Sequence, residues 1–235
     1  ALPSGEEFPW FREFWIQKPS SGDVELVVYA LLDSPSCTGA YRIVVIPGED
    51  TVMKVDSKVF FRKTVEKVGL APLTSMYFYG ETENGRRGDY RPEIHDTDGL
   101  SVRTLEGEWI WRALNNSPKL SITRIPLKGV GGFGLLQRDR NFDHYQDLEA
   151  HYGDRPSLWI EPNNGWGSGN IELIEIPSDT EFNDNIVAFW VPDENMGEGQ
   201  GFSCSYIMRW TRDEEGLHGL GRVVATRKAD GDRKE

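Results

Sequence analysis

The chain is poor in cysteine: Cys37 and Cys204 are the only two in 235 residues. Two are too few for a disulfide framework or, alone, for a metal site, and the sequence leaves open whether they pair. Long apolar runs are missing too. No stretch approaches the ~20 apolar residues of a membrane span, and no charged-then-apolar signal segment opens the chain, so it reads as soluble, with no membrane insertion. Basic charge is scarce: 26 Lys and Arg stand against 38 Asp and Glu, a net charge of -12. No Lys/Arg run supplies the positive surface that phosphates need, which excludes nucleic acid as a partner. The mixed charges of "RVVATRKADGDRKE" read as a solvated terminus. There is no Gly-x-Ser-x-Gly elbow, neither cysteine has a His neighbour, and "GVGGFG" lacks the Lys-Ser/Thr of a phosphate loop. No repeat or low-complexity tract is visible.

Aromatics, by contrast, are plentiful. They make up 11% of the chain and include eight Trp, which serve as core or as sugar platforms. Apolar residues recur in short alternating or continuous runs bounded by Gly, Pro, Asn and Asp, the pattern of strands and turns. The clearest are "DVELVVYALLD", "AYRIVVIPG", "TVMKVDSKVFFRK", "EWIWRAL", "KLSITRIPL", "SLWIEP", "NIELIEIP", "NIVAFWVP" and "FSCSYIMRW". Nine or ten strands follow, mostly antiparallel because the turns "SPSCTG" and "PGED" suit hairpins. Helical patterning is weak, with short candidates in "RKTVEKVGL" and in "FDHYQDLEAHYG", the latter ended by Gly153. Three long polar segments, 80–99, 135–156 and 161–170, exceed what a compact domain keeps without a use, so the functional face is expected there.

Within "YRPEIHDTDG", Glu93, His95, Asp96 and Asp98 crowd six positions and suit a divalent cation by type. The other positions of a calcium loop are absent, and a turn built on Asp and Gly explains the cluster, so neither metal nor cofactor is expected. Paired carboxylates remain, the equipment of an inverting glycoside hydrolase. With 38 acids, composition alone does not select the pair.

Longer words are more specific. "ALPSGEEFPWFREFWI", "YALLDSPSCTGAYRIVVIPGEDTVMKV", "LAPLTSMYFYG", "DYRPEIHDTDGL", "GEWIWRALNN", "GFGLLQRDRNFDHYQDLEAHYGDRPSLWIEP", "IELIEIPSDTEFNDNIVAFWVP" and "SYIMRWTRDE" resemble, in the same order, the periplasmic glucan biosynthesis proteins G and D of Gram-negative bacteria. The resemblance implies an all-β fold, an antiparallel β-sandwich of the galactose-mutarotase-like kind with a few short helices. It implies a domain over 1–215, incomplete at its N-terminal side, and a polar tail over 216–235, without the family's small immunoglobulin-like domain. It implies the periplasm and β-1,2-linked glucan as partner. A homodimer is left open.

By the same resemblance the general acid is Asp184, in the Asn-Asp-Asn turn of "EFNDNIVAFW", and the general base is Asp96, acting through waters and a substrate hydroxyl. Asp184 stands before an apolar strand, where desolvation would keep it protonated, while Asp96 in its polar loop would stay ionised. Glu181 is the neighbour expected to orient the acid or the substrate. Tyr90, Arg91, Trp109, Trp111, Arg138, Tyr145, Trp166 and Trp190 are candidate sugar contacts, with Trp109 and Trp111 on one face of a strand. Phe182 departs from a hydroxyl residue in some members. The implied activity is that of an inverting endo-β-1,2-glucanase; the alternative is a non-catalytic glucan-binding scaffold. A mutarotase or epimerase, suggested by fold alone, ranks third.

Overall fold

In the computed structural model, residues 7–82, 88–212, 217, 219 and 221–227 are described. Fifteen strands follow one another: β1 (Trp10–Ile16), β2 (Leu26–Asp33), β3 (Cys37–Ile46), β4 (Thr51–Phe61), β5 (Leu70–Ser75), β6 (Tyr77–Tyr79), β7 (Ile94–His95), β8 (Gly99–Thr104), β9 (Trp109–Ala113), β10 (Ser121–Leu127), β11 (Val130–Leu136), β12 (Ser157–Pro162), β13 (Gly169–Glu175), β14 (Ile186–Pro192) and β15 (Gly201–Thr211). The only α-helix among these residues is the four-residue α1 (Phe142–Tyr145).

All strand pairs are antiparallel. The strands form a nine-stranded sheet in the order β1-β2-β3-β4-β15-β12-β11-β8-β9, a four-stranded sheet β10-β13-β14-β5, and the small pair β6-β7. Alternation sets the faces. In β4, Val55, Ser57, Val59 and Phe61 turn inward while Asp56, Lys58 and Phe60 turn out. The four-stranded sheet packs on the β15-β12-β11-β8 half of the larger one, with Leu100, Val102, Phe133, Leu135 and Ile160 meeting Leu73, Ile171, Leu173, Ala188 and Trp190. The result is an antiparallel β-sandwich. Each such Leu, Val, Ile or Phe side chain, withdrawn from water, contributes about 1.5–3 kcal/mol. Close packing needs glycine at Gly134, where a Cβ would lie 2.3 Å from the Leu158 carbonyl oxygen.

All nine sequence-derived strands are present, and the SPSCTG and PGED turns close β2-β3 and β3-β4 as hairpins. The count was low because several strands carry glycine or proline. In β5, Pro72 points outward from an edge strand, the place where a missing N–H costs no ladder bond. The helical candidate in "RKTVEKVGL" is not a helix. Arg62 is drawn onto the first hairpin turn, donating to Cys37 O at 2.7 Å and to Asp33 Oδ1 at 2.7 Å, and Val65 bridges to Met196. The second candidate shrinks to α1, whose cap Asn141 accepts the Asp143 N–H at 3.1 Å; left-handed Gln146, not Gly153, ends it. Much of the segment expected as a polar tail, and part of the 80–99 loop, lies outside the described residues.

Candidate active site

A cleft of about 190 Å³ opens where the end of β5, the loop after β7 and the turn before β14 come together. Asp96 and Asp184 both line it, with Thr74, Ser75, Arg155, Leu158 and Trp210. The chain builds each side from main-chain bonds. Asp96 donates its N–H to the Met76 carbonyl at 2.9 Å, and Ser75 Oγ and Thr97 Oγ1 lie 2.7 Å apart beneath it. On the other side the second Asn of the Asn-Asp-Asn turn is buried and acts as a plug. Asn185 Oδ1 accepts the Tyr77 N–H at 2.8 Å, and its Nδ2 donates to Tyr77 O at 2.9 Å and Ile176 O at 3.1 Å. Asp184 is thus held exposed at the cleft mouth by the residue that follows it.

The electrostatics differ from the sequence expectation. Asp96, not Asp184, is the more enclosed carboxyl: its Oδ1 is shut off from water without a hydrogen-bond partner. Burial pushes its proton affinity above the ordinary Asp value and the Asp184 charge pushes it further, against the opposing pull of Arg155, whose Nε is 3.4 Å away. The reason is topological. The "IHDTDG" loop runs beneath the sandwich edge, whereas the apolar strand after Asp184 begins only at Ile186.

Glu181 belongs to a network that the sequence only partly indicates. Arg91 grips it with two bonds, Nη2 to Oε1 at 2.8 Å and Nη1 to Oε2 at 3.0 Å, and Tyr152 donates its hydroxyl to Oε2 at 2.5 Å. Arg91, followed by the Tyr152 hydroxyl, holds Glu181 below the usual carboxylate range. The remaining Arg91 donors go to Asp89 Oδ1 and Oδ2 at 3.1 and 2.9 Å and to Asp147 Oδ2 at 2.8 Å. Asp147 in turn accepts the Glu149 and Ala150 N–H groups. Arg91 is therefore committed to protein carboxylates instead of presenting an open fork to a sugar.

The other sugar-contact candidates are scattered. Trp166 and Trp190 are packed inside the sandwich, and Tyr145, 1% exposed, sits in a second core cluster with its hydroxyl on Asp139 O at 2.9 Å. Burial puts all three out of reach of a ligand. Trp109 stacks on Trp159, ring centres 5.2 Å apart, and Trp111 lies under the Arg138 guanidinium at 3.5 Å. Trp111 and Arg138 line a separate small cavity. Tyr90 is exposed, as is Phe182 at 91%. Trp210, Arg155, Tyr152 and Asn185 were missed; only Asn185 carried a local signal, its place in the Asn-Asp-Asn turn.

Residues 1–235, the whole chain, match the family described as periplasmic glucan biosynthesis protein, MdoG. The glucans biosynthesis protein G of Serratia proteamaculans is 53% identical over 100% of this chain and 45% of its own length; that of Pseudomonas aeruginosa is 51% identical over the same shares. The chain therefore spans about half the length of the curated relatives it matches. Among solved structures, the α-galactosidase AgaA of Geobacillus stearothermophilus aligns with a TM-score of 0.43 at 10% identity, over 89% of this chain and 29% of that one. A galactose mutarotase related enzyme of Lactobacillus acidophilus gives 0.36 at 10% identity, over 84% and 71%. Likenesses that distant carry no argument, whereas identity above one half along every residue does: the chain belongs to the periplasmic glucan biosynthesis protein family, MdoG.

Proposed function

We propose that this chain carries the catalytic cleft of an inverting endo-β-1,2-glucanase, with Asp184 as general acid and Asp96 as general base. The observation behind this reading is that the two carboxyls line one cleft, close enough for the Asp184 charge to act on Asp96. In the reaction, water attacks the anomeric carbon from the face opposite the leaving sugar and gives its proton toward Asp96. The carbon–oxygen bond breaks, and Asp184 delivers a proton to the departing oxygen, so the configuration inverts. An Asp96 with raised proton affinity is a stronger base than an ordinary carboxylate wherever it is ionised. Asp184 stands exposed at the cleft mouth, where it can reach the departing oxygen of a bound glucan. Trp210 offers the cleft an aromatic wall against which a glucose ring can stack.

Incubating linear β-1,2-glucan with the protein and following new reducing ends tests the reading. Turnover that disappears in Asp184→Asn and Asp96→Asn supports it; full activity in either variant rejects the pair. An activated aryl glucoside separates the roles, because a good leaving group needs no protonation: Asp184→Asn should recover on it and Asp96→Asn should not. The second reading, a glucan-binding scaffold, is favoured by the exposed Phe182, two residues before Asp184. It requires calorimetric binding of the glucan with no turnover and unchanged binding in Asp184→Asn.

A further inference from the structure

We propose that Glu93, Asp139 and His144 form a binding site for one divalent transition-metal ion of the zinc type, separate from the Asp96–Asp184 cleft. One ligand atom from each lies within 4.8 Å of the other two. In the sequence, Glu93, His95, Asp96 and Asp98 suit a cation by type but read as a turn with no metal expected, whereas the fold brings Glu93 to residues about 50 positions later in the chain.

The neighbours prepare the three side chains for this task. Gln137 Nε2 donates to the carbonyls of His95 and Tyr152, at 2.9 and 3.1 Å, so its Oε1 must accept from His95 Nδ1 at 2.9 Å. His95 Nε2 then stands 2.8 Å from Glu93 Oε2, a contact that is a hydrogen bond when this second ring nitrogen also carries a proton to donate to the buried carboxylate. Outer partners of this kind orient metal ligands. Asp139 is held by three bonds: its N–H donates to Asp98 Oδ2 at 3.0 Å, its Oδ1 accepts the Asn141 N–H at 3.0 Å, and its carbonyl accepts the Tyr145 hydroxyl. His144 Nδ1 lies 2.5 Å from Asp139 Oδ2, and its ring on α1 is half-exposed.

A second observation points to a ligand. Two of the three ligands, Glu93 and Asp139, line a cavity of about 30 Å³ together with His95, Asp98 and residues 223–226, and Asp98 Oδ1 is enclosed in the protein without any hydrogen-bond partner. That volume admits an ion or a water molecule and excludes a sugar. Arg138, which also lines the cavity, lies flat on Trp111 and donates to Val223 O at 2.8 Å, and its charge acts on Asp98.

Two carboxylates and one imidazole match zinc, or cobalt and manganese in its place, better than calcium, which gathers six to eight oxygens. Ligand atoms around a tetrahedral zinc with bonds of ~2.0 Å stand roughly 3.3 Å apart. The widest pair must therefore close by no more than about 1.5 Å, and the Asp139–His144 pair must open by less than about 1 Å.

Calorimetric titration of the chelator-stripped protein with zinc is expected to show one equivalent bound at micromolar or tighter Kd. Cobalt is expected to give the intense visible absorption of a four-coordinate ion. His144→Ala, a change at a half-exposed residue that the fold tolerates, should weaken zinc by about 100-fold and abolish the cobalt band, while His151→Ala should change neither. Glu93→Gln, if folded by circular dichroism, should behave like His144→Ala. Absence of binding below millimolar zinc, or binding that His144→Ala leaves intact, overturns the site. The readout is independent of glucan cleavage.

Discussion

Asn185 meets the main chain of Tyr77 in both directions, accepting its N–H at 2.8 Å and donating to its carbonyl at 2.9 Å. This junction joins the turn carrying Asp184 to the β5-β6 segment from which Asp96 is also tied, through Met76 O. A small amide therefore sets the relation between the two cleft walls.

Replacing Asn185 with Ala takes the side-chain partner from the Tyr77 N–H and from the Tyr77 and Ile176 carbonyls, a loss of ~1–3 kcal/mol for each group left buried and unpaired. Urea unfolding should show a deficit of about 2–4 kcal/mol, and kcat on β-1,2-glucan should fall more than KM rises. Asn185→Asp should fare no better above its pKa, since a carboxylate cannot donate to the Tyr77 carbonyl. An Ala variant within ~0.5 kcal/mol of the parent would remove Asn185 from this role.

Arg91 supports the same turn through Glu181. Lysine keeps the charge and loses the planar fork, so Arg91→Lys should retain only part of the grip on Asp89, Asp147 and Glu181. Arg91→Met, which strands three carboxylates, is expected to cost about 3–5 kcal/mol. Thermal melts should rank parent above Lys above Met, and kcat should follow that order. Equal melting temperatures for parent and Arg91→Met would dismiss the clamp.

Asp96 makes stability depend on pH in a definite direction. Burial, reinforced by Asp184, raises its folded proton affinity. A carboxyl raised in this way stabilises fully below the unfolded Asp value of ~3.9, and the benefit is lost as pH climbs through the higher folded value. The unfolding free energy of the parent minus that of Asp96→Asn should therefore fall as pH rises above about 4. A flat difference would show that Asp96 titrates like an exposed carboxyl. In kinetics, the acid limb of kcat/KM should lie above the ordinary Asp range.

Alternation and turn chemistry made nine strands legible, because each was a run long enough to show its period, as in "TVMKVDSKVFF". Strands such as β8 and β11 carry Gly99, Gly131, Gly132 and Gly134, whose lack of side chain erases the period even though the packing demands it. At the site, Asp96 and Asp184 came from motif resemblance, and their burial order did not. Which carboxyl lies deeper depends on how the β5 end, the loop after β7 and the turn before β14 meet, a long-range matter absent from either local sequence. The same limit applies to aromatics. Trp190 and Trp210 look alike in sequence, yet one is sealed between sheets and the other borders the cleft.

Cys37 and Cys204 illustrate how register settles what a count could not. Cys37 pairs with Phe61 of β4, while Cys204, on the other side of β4, pairs with Ser57. A whole strand and a four-residue offset separate the two, so both are free and buried. Burial also pushes the Cys204 thiol up to about 12, which suppresses its thiolate. In the periplasm, the family's oxidising compartment, that is protection against chance coupling. Iodoacetamide should leave the native protein unlabelled and add two groups after denaturation without reductant, read by intact mass. A mass two hydrogens short before any reagent, or labelling that needs reductant, would mean that the strands part far enough for the thiols to meet.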